Sequence, residues 1–275
     1  MAASTTYLAR YLAGEHEQVW DELTALGAAV RQEPLYRDAL AVACETMRRV
    51  RHNIATLIPR LRASGYAFGY AWPRGRTISE GLRYPLFTPP AANVAETIAA
   101  LESRAGVLPL SLRAFYEIVG GVNFVGEPPA TWSRWCTAPE DLDALYVYPA
   151  QIALEEAVSW QDRFEGVTDE EWDLADDEDP CDGRAYFALP RACWLVLIAP
   201  DEWLKYDYSG CGEYEIALPN LAADARLLTE HHRTTFVNYL RICLRWAGFP
   251  KLERAPGSEA ALSVVSDLTR DLLPI

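Results

Sequence analysis

No stretch of this 275-residue chain holds the roughly 20 consecutive apolar residues that a bilayer-spanning helix needs. Its first residues, MAASTTYLARYLAGEHEQVW, lack the charged-then-apolar order of a secretory leader. No membrane partner and a cytoplasmic location are therefore expected. Cysteine is sparse and scattered, at 44, 136, 181, 193, 211 and 243, and no two form the C-x-x-C pair that grips zinc. Such spacing argues against a disulfide scaffold and leaves the thiols as small core hydrophobes. Positive charge is short as well: 25 Lys and Arg stand against 39 Asp and Glu, a net charge of −14. Phosphate backbones are held by clustered Lys and Arg, so nucleic acid is not an expected partner.

Histidine is rarer still. His231 and His232 are adjacent, so on a helix they point about 100° apart and cannot share one metal. Asp224 and Glu230 lie nearby, but no third ligand has a closing spacing, and a solvated helix face is the expected setting. The acidic run DEEWDLADDEDPCDG lacks the alternating Asp, the sixth-position Gly and the twelfth-position Glu of a calcium loop. With no recognisable nucleophile or cofactor loop either, the expectation is no metal, no cofactor, no catalytic residue and no enzyme.

What is present is apolar mass. Half the residues are hydrophobic and 11% aromatic, which suits a folded chain with one large core or two modest ones rather than a disordered one. Leu8, Leu12, Val19, Leu23, Leu26 and Val30 recur at helical steps. Glu33-Pro34 interrupts them, because the residue before proline avoids helical angles. Leu40, Cys44, Met47, Ile54, Leu57 and Leu61 then predict a second long helix, closed at Ser64-Gly65. Arg48, Arg49 and Arg51 crowd its middle and are expected on a solvated face, or against the acidic loop (155–182) of the same molecule. Residues 1–90 thus read as an N-terminal helical module, two helices plus an irregular Gly/Pro/aromatic connection ending near Pro89-Pro90.

Residues 91–275 change character. Asn93 with Glu96 suits a helix start, and Val94, Ile98 and Leu101 line one face. Pro109 suits the first turn of another helix with Leu112, Phe115, Tyr116 and Val119 inward, stopped by Gly120-Gly121. LYVYP, YFAL and CWLVLIA have strand composition, QIALEEAVSWQDRFE returns to helix, and LKYDYSGCGEYEIALP reads as a β-hairpin turning at Ser209-Gly210-Cys211-Gly212. In that hairpin Lys205 and Asp207 flank Tyr206 on one strand face, as an ion pair. A helix through Phe236, Leu240, Cys243 and Ala247 ends at Gly248. Helices, then strands, then helices predict an α+β fold, with a mixed or antiparallel sheet packed against helices and a helical hairpin in front.

Charge is distributed unevenly. Residues 1–90 carry 11 basic and 8 acidic residues, whereas 155–182 carry 13 acidic residues against Arg163 alone, a net of −12. This acidic insertion is either a solvated loop or a docking surface for a basic protein, where carboxylates speed encounter. Asp169, Glu170, Glu171, Trp172, Asp173, Asp176, Asp177, Glu178 and Asp179 are the partner-binding residues it offers, with Trp172 as an aromatic anchor. Trp132 and Trp135, in the aperiodic EPPATWSRWCTAPED, are expected to be exposed and to join them. Trp203 and Trp246 fall in patterned elements and are expected in the core or half-buried.

Three blocks, IAALESRAGVLPLSLRAFYEIVGGVNF, WLVLIAPDEWLKYDYSGCGEYEIALP and TTFVNYLRICLRWAGFP, together resemble the SUKH superfamily of bacterial immunity proteins and fungal cell-wall-assembly regulators (the Smi/Knr family). The resemblance covers about residues 94–252. It rests on Leu101-Glu102, on Leu108-Pro109 with Leu112, Phe115 and Tyr116, and on Gly120-Gly121. It implies an α+β protein-binding scaffold without shared catalytic residues, many bacterial members of which neutralise a toxin. The expectation for this chain is a non-enzymatic immunity protein that occludes a basic toxin domain. The alternatives are an assembly or regulatory scaffold acting through the N-terminal helices or as a homodimer, and last a carboxylate-dependent hydrolase.

Overall fold

The computed structural model describes residues 6–69, 86–136, 139–165, 184–206, 213–254 and 258–275. The fold is α+β. The long helix expected at the front is split: α1 (Tyr7–Leu12) and α2 (His16–Ala25) part at Gly14, whose φ of +108° no helix accommodates. At the other end of α1, Asp38 accepts the backbone N–H groups of Tyr7 and Leu8 at 2.6 and 3.1 Å. The break leaves Leu12 outward, 56% exposed. Helix α3 (Leu35–Ala63) follows the expected periodicity, burying Val42, Met47, Val50, Ile54, Leu57 and Leu61. Trp20 of α2 donates its indole N–H to Thr46 at 3.0 Å, pinning the first helices to α3.

Helices α4 (Val94–Ala105) and α5 (Leu110–Ile118) form around Leu101, Leu108, Leu112, Phe115 and Tyr116, all fully buried. Asn93 takes the N-cap position of α4 without a side-chain cap bond. Pro109 stands at the N-cap of α5, where its missing N–H costs nothing. Glu102 ties the two helices by accepting the Leu108 N–H at 3.2 Å and Arg113 Nη1 at 3.1 Å. Gly120 closes α5 with φ +93°, and a Cβ there would lie 2.1 Å from the Thr88 carbonyl oxygen. Gly120→Ala is expected to lose at least about 2 kcal/mol of stability, the scale of a strained left-handed residue before its clash is counted; urea unfolding measures it.

The strands are short and antiparallel. β1 (Ala67–Phe68) pairs β4 (Gly126–Glu127), and β2 (Phe87–Thr88), β3 (Gly121–Asn123) and β5 (Tyr146–Val147) form a second sheet. β6 (Val158–Ser159), β7 (Trp194–Pro200) and β8 (Glu213–Leu218) form a third, with β7 central. A bulge between Leu197 and Ala199 shifts the register: Leu197 still faces Glu215, whereas Ala199 faces Tyr214 and Pro200 faces Glu213. Helix α6 (Ala150–Glu155) and the single-turn helices α7 (Trp160–Arg163) and α8 (Arg184–Phe187) surround this sheet, and α9 (Phe236–Arg245) and α10 (Leu262–Thr269) complete the chain.

Two expectations are corrected. YFAL does not form a strand, because Arg184–Phe187 turn helically and bring Tyr186 inward. Leu204–Tyr206 do not form the first arm of a hairpin: they make a 3-10 turn, and the partner of β8 is β7, whose continuous apolar run buries better in a central strand. The expected turn at Ser209–Gly212 and the Asp207 side chain lie outside the described residues.

Residues before and after position 90 share one apolar core, in which α3 packs on α5 and Tyr66 meets Phe249 at 5.2 Å. The last residues complete it. Asn53, fully buried on α3, exchanges both of its amide hydrogen bonds with the backbone of Leu273, each at 2.8 Å. Arg49 donates to the Pro274 carbonyl at 2.9 Å, Arg60 to Leu268 at 2.8 Å and Arg241 to Ile275 at 2.8 Å. The segment 268–275 is therefore a strap laid along α3 by side-chain-to-backbone bonds.

Candidate functional site

Charged side chains that the core cannot solvate gather where β7 and β8 end. Directly after Pro200 the chain turns through Asp201–Tyr206. Asp201 Oδ1 accepts the backbone N–H groups of Trp203 at 3.0 Å and Leu204 at 2.7 Å, fixing the turn. Glu202 and Lys205 then point inward, 5% and 7% exposed, while Trp203 and Leu204 between them stay 39% and 38% exposed. The turn is a knuckle: two apolar residues outward on two charged roots.

Each root has a partner from a distant segment. Lys205 Nζ forms an ion pair with Asp143, both side chains fully screened from water. Tyr214 of β8 donates its hydroxyl to the second Asp143 oxygen at 3.2 Å, and its ring stands 5.2 Å from Lys205 Nζ. Glu202 accepts from His231 Nε2 and, at 3.0 Å, from Lys251 Nζ. Lys251 Nζ also lies 5.7 Å from the Trp203 ring centroid. Burial alone would lower the His231 pKa; the hydrogen bond and charge of Glu202, with Asp143 and Glu230 behind, outweigh it and raise it above 6.5. Burial would raise the Glu202 carboxyl, but His231 and Lys251 hold it below its ordinary value.

The expected solvated helix face for the two histidines is overturned. They lie in a turn between β8 and α9 bounded by left-handed Thr229 and Arg233, φ +60° and +52°. His231 goes to Glu202, and His232, only 4% exposed, goes to Glu230 at 2.6 Å with Glu253 at 3.4 Å. Among the described residues no three His, Cys, Asp or Glu are grouped to hold a metal ion.

A second set of carboxylates flanks the knuckle. Glu215 is fully buried; Tyr186 donates to its Oε2 at 2.5 Å, and Arg163 Nη2 stands 3.7 Å from its Oε1, which has no hydrogen bond. Burial raises its pKa, against Tyr186 and Arg163. Glu213 is raised by burial and then by the nearby charges of Glu215, Glu156 and Asp201, with Arg163 opposing. Among the described residues, Arg163 is the one cation within ion-pair distance of Glu156, Glu213 or Glu215.

Of the partner-binding residues expected from sequence, Asp169, Glu170, Glu171, Trp172, Asp173, Asp176, Asp177, Glu178 and Asp179 lie outside the described residues. Trp132 and Trp135 do not form an exposed anchor: they are 3% and 9% exposed. The reason is aromatic packing from far along the chain. Trp132 stacks on Tyr66 at 5.8 Å, meets Phe249 edge-on at 5.8 Å and lies 4.9 Å from Trp135. Trp203, expected in the core or half-buried, is 39% exposed. Its signal in the sequence is weak: a Trp among Asp, Glu and Lys just past the end of a strand. Lys205 pairs with Asp143, and Asp207, its expected partner, lies outside the described residues. Of the arginine cluster, Arg48 is solvated, whereas Arg49 is 14% exposed and Arg51 donates to the Ile118 carbonyl at 3.1 Å.

No protein-family model, no curated protein and no solved structure matches the chain. Among the described residues, no helix is long and apolar enough to cross a membrane.

Proposed function

We propose that this chain is a non-enzymatic, cytoplasmic protein-binding domain that takes a basic protein as partner, in the manner of a SUKH-type immunity protein covering a toxin. The observation that carries the reading is the concentration of negative charge in one segment. Residues 155–182 hold 13 carboxylates against one arginine, and that arginine, Arg163, is already drawn to buried Glu215. Carboxylates held at such density accelerate the encounter with a cationic surface and weaken it with salt. The motif likeness over residues 94–252 supports the same reading, and no catalytic step is assigned to the Asp143, Lys205 and His231 network, which is bonded inward.

The test is pull-down of the tagged chain followed by binding kinetics with the recovered protein. A basic protein in stoichiometric amount, released by moderate salt, is expected. Neutralising Asp169, Glu170, Glu171, Asp173, Asp176, Asp177, Glu178 and Asp179 to amides should slow its association at low salt by at least about tenfold. Unchanged association and an unchanged salt slope would remove the basic-partner reading.

A further inference from the structure

The strap along α3 is held largely by its main chain. Asn53 donates to the Leu273 carbonyl and accepts the Leu273 N–H, each at 2.8 Å. Arg49 donates to the Pro274 carbonyl at 2.9 Å and Arg241 to the Ile275 carbonyl at 2.8 Å. Arg270, Asp271, Leu273 and Pro274 keep exposed side chains, while Ile275 enters the core. Asn53 is fully buried, so its amide depends on the backbone laid over it. This face of α3 is a receptor for extended backbone, with room for an aliphatic side chain two residues past the Asn53 pair.

The chain reaches that receptor by a strained route. Helix α10 ends at Thr269, whose carbonyl accepts the Leu272 N–H at 3.1 Å across a tight turn. Arg270 has φ −51° and ψ 131°, and Asp271 has φ +61°. That is a type II turn, whose third position favours glycine. Aspartate stands there instead, and a residue with a Cβ is disfavoured in left-handed backbone. Straightening the turn removes that cost and leaves the bonds of Leu273, Pro274 and Ile275 available. Residues 270–275 then span up to about 20 Å, roughly twice the 8–10 Å between packed helices.

We propose that a second copy of this chain supplies the strap in trans: two copies exchange residues 272–275, each laying them in the α3 groove of the other. A second copy is the occupant because the groove already fits this segment bond for bond. The exchange is reciprocal, so a closed twofold dimer leaves neither groove empty. Within one chain the short tether gives the strap an effective concentration on the order of millimolar, which favours the closed monomer. Strain at Asp271 offsets part of that preference, so the turn sets the balance between monomer and dimer. Exchange of this kind needs no charge on residues 155–182 and is independent of the basic-partner reading.

Substitutions at exposed Asp271 should move the balance in opposite directions. Glycine accepts the turn, so Asp271→Gly should hold the chain monomeric. Proline fixes φ at about −65°, so Asp271→Pro should open the turn and strengthen dimerisation at least about tenfold. Sedimentation equilibrium on the full chain across micromolar concentrations reads both. Adding Asn53→Leu to Asp271→Pro should return a monomer from the groove side. Adding Leu273→Pro should do so from the strap side, by deleting the N–H that Asn53 accepts, and circular dichroism confirms that each variant is folded. A labelled peptide of residues 268–275, Leu-Thr-Arg-Asp-Leu-Leu-Pro-Ile blocked at both ends, should bind Asp271→Pro more tightly than Asp271→Gly by fluorescence polarisation. An Asp271→Pro chain that stays monomeric overturns the exchange, even where the peptide binds. A dimer that survives Leu273→Pro is joined elsewhere and overturns it as well.

Discussion

Lys205→Met is expected to lower the unfolding free energy by about 3–5 kcal/mol, because it leaves Asp143 charged and dry. Asp143 has no route to water: its side chain and that of Lys205 are both fully screened, and the remaining donor is the Tyr214 hydroxyl at 3.2 Å. Removing both charges tells a different story. Asp143→Asn with Lys205→Met keeps an acceptor for Tyr214, suits the left-handed backbone at residue 143 (φ +47°) and leaves no lone ion. The double variant should return to within about 1–2 kcal/mol of the parent, as buried pairs replaced by neutral groups often do. Urea unfolding with a constant m value measures both. A single-variant loss under about 1 kcal/mol would mean that water reaches the pair.

Raising pH should loosen the other root of the knuckle. The folded His231 pKa lies above 6.5, so its contribution is complete below 6.5 and is lost as pH rises through the folded value. Glu202 shifts the opposite way: its contribution is complete above 4.5 and is lost as pH falls through its lowered folded value. The pair therefore stabilises fully between 4.5 and 6.5 and declines on either side. The alkaline loss is on the order of 1 kcal/mol, the difference between a charge-assisted and a neutral hydrogen bond. Raised Glu213, Glu215 and Asp224 act with His231, since each binds its proton more tightly folded than unfolded and loses stability as pH rises. His231→Gln should flatten the profile between pH 6 and 8.5, and amide exchange at Trp203 and Leu204 should quicken with pH in the parent but not in the variant. A parent profile as flat as the variant's would show that His231 carries no charge in the fold.

Long helices were legible because their period repeats: the buried face of α3 is the one read from Leu40 to Leu61, apart from partly covered Leu40 and Cys44. The split at Gly14 was not, since Leu8, Leu12 and Val19 keep a helical phase across a residue whose backbone leaves the helix. Two-residue strands such as β2 and β5 carry too few positions for alternation, and their pairing is set by partners about 25 to 35 residues away. Aperiodicity was a poor guide to exposure at Trp132 and Trp135, because Tyr66 and Phe249 cover them from opposite ends of the chain. The ionic site was invisible for the same reason: Asp143, Glu202, Lys205, His231 and Lys251 come from four separated segments, and no local spacing announces them.

The strap along α3 also sets a clock. Asn53 and the Leu273 backbone that satisfies it are 220 residues apart, a gap the ribosome crosses in roughly 11–44 s at ordinary elongation rates. Throughout that interval the first helices exist without their last cover, and the amide that ends up fully buried faces solvent. A nascent chain of this protein must therefore keep its leading helices out of aggregates until Leu273 has been made, and protease sensitivity along α3 should persist until the strap emerges.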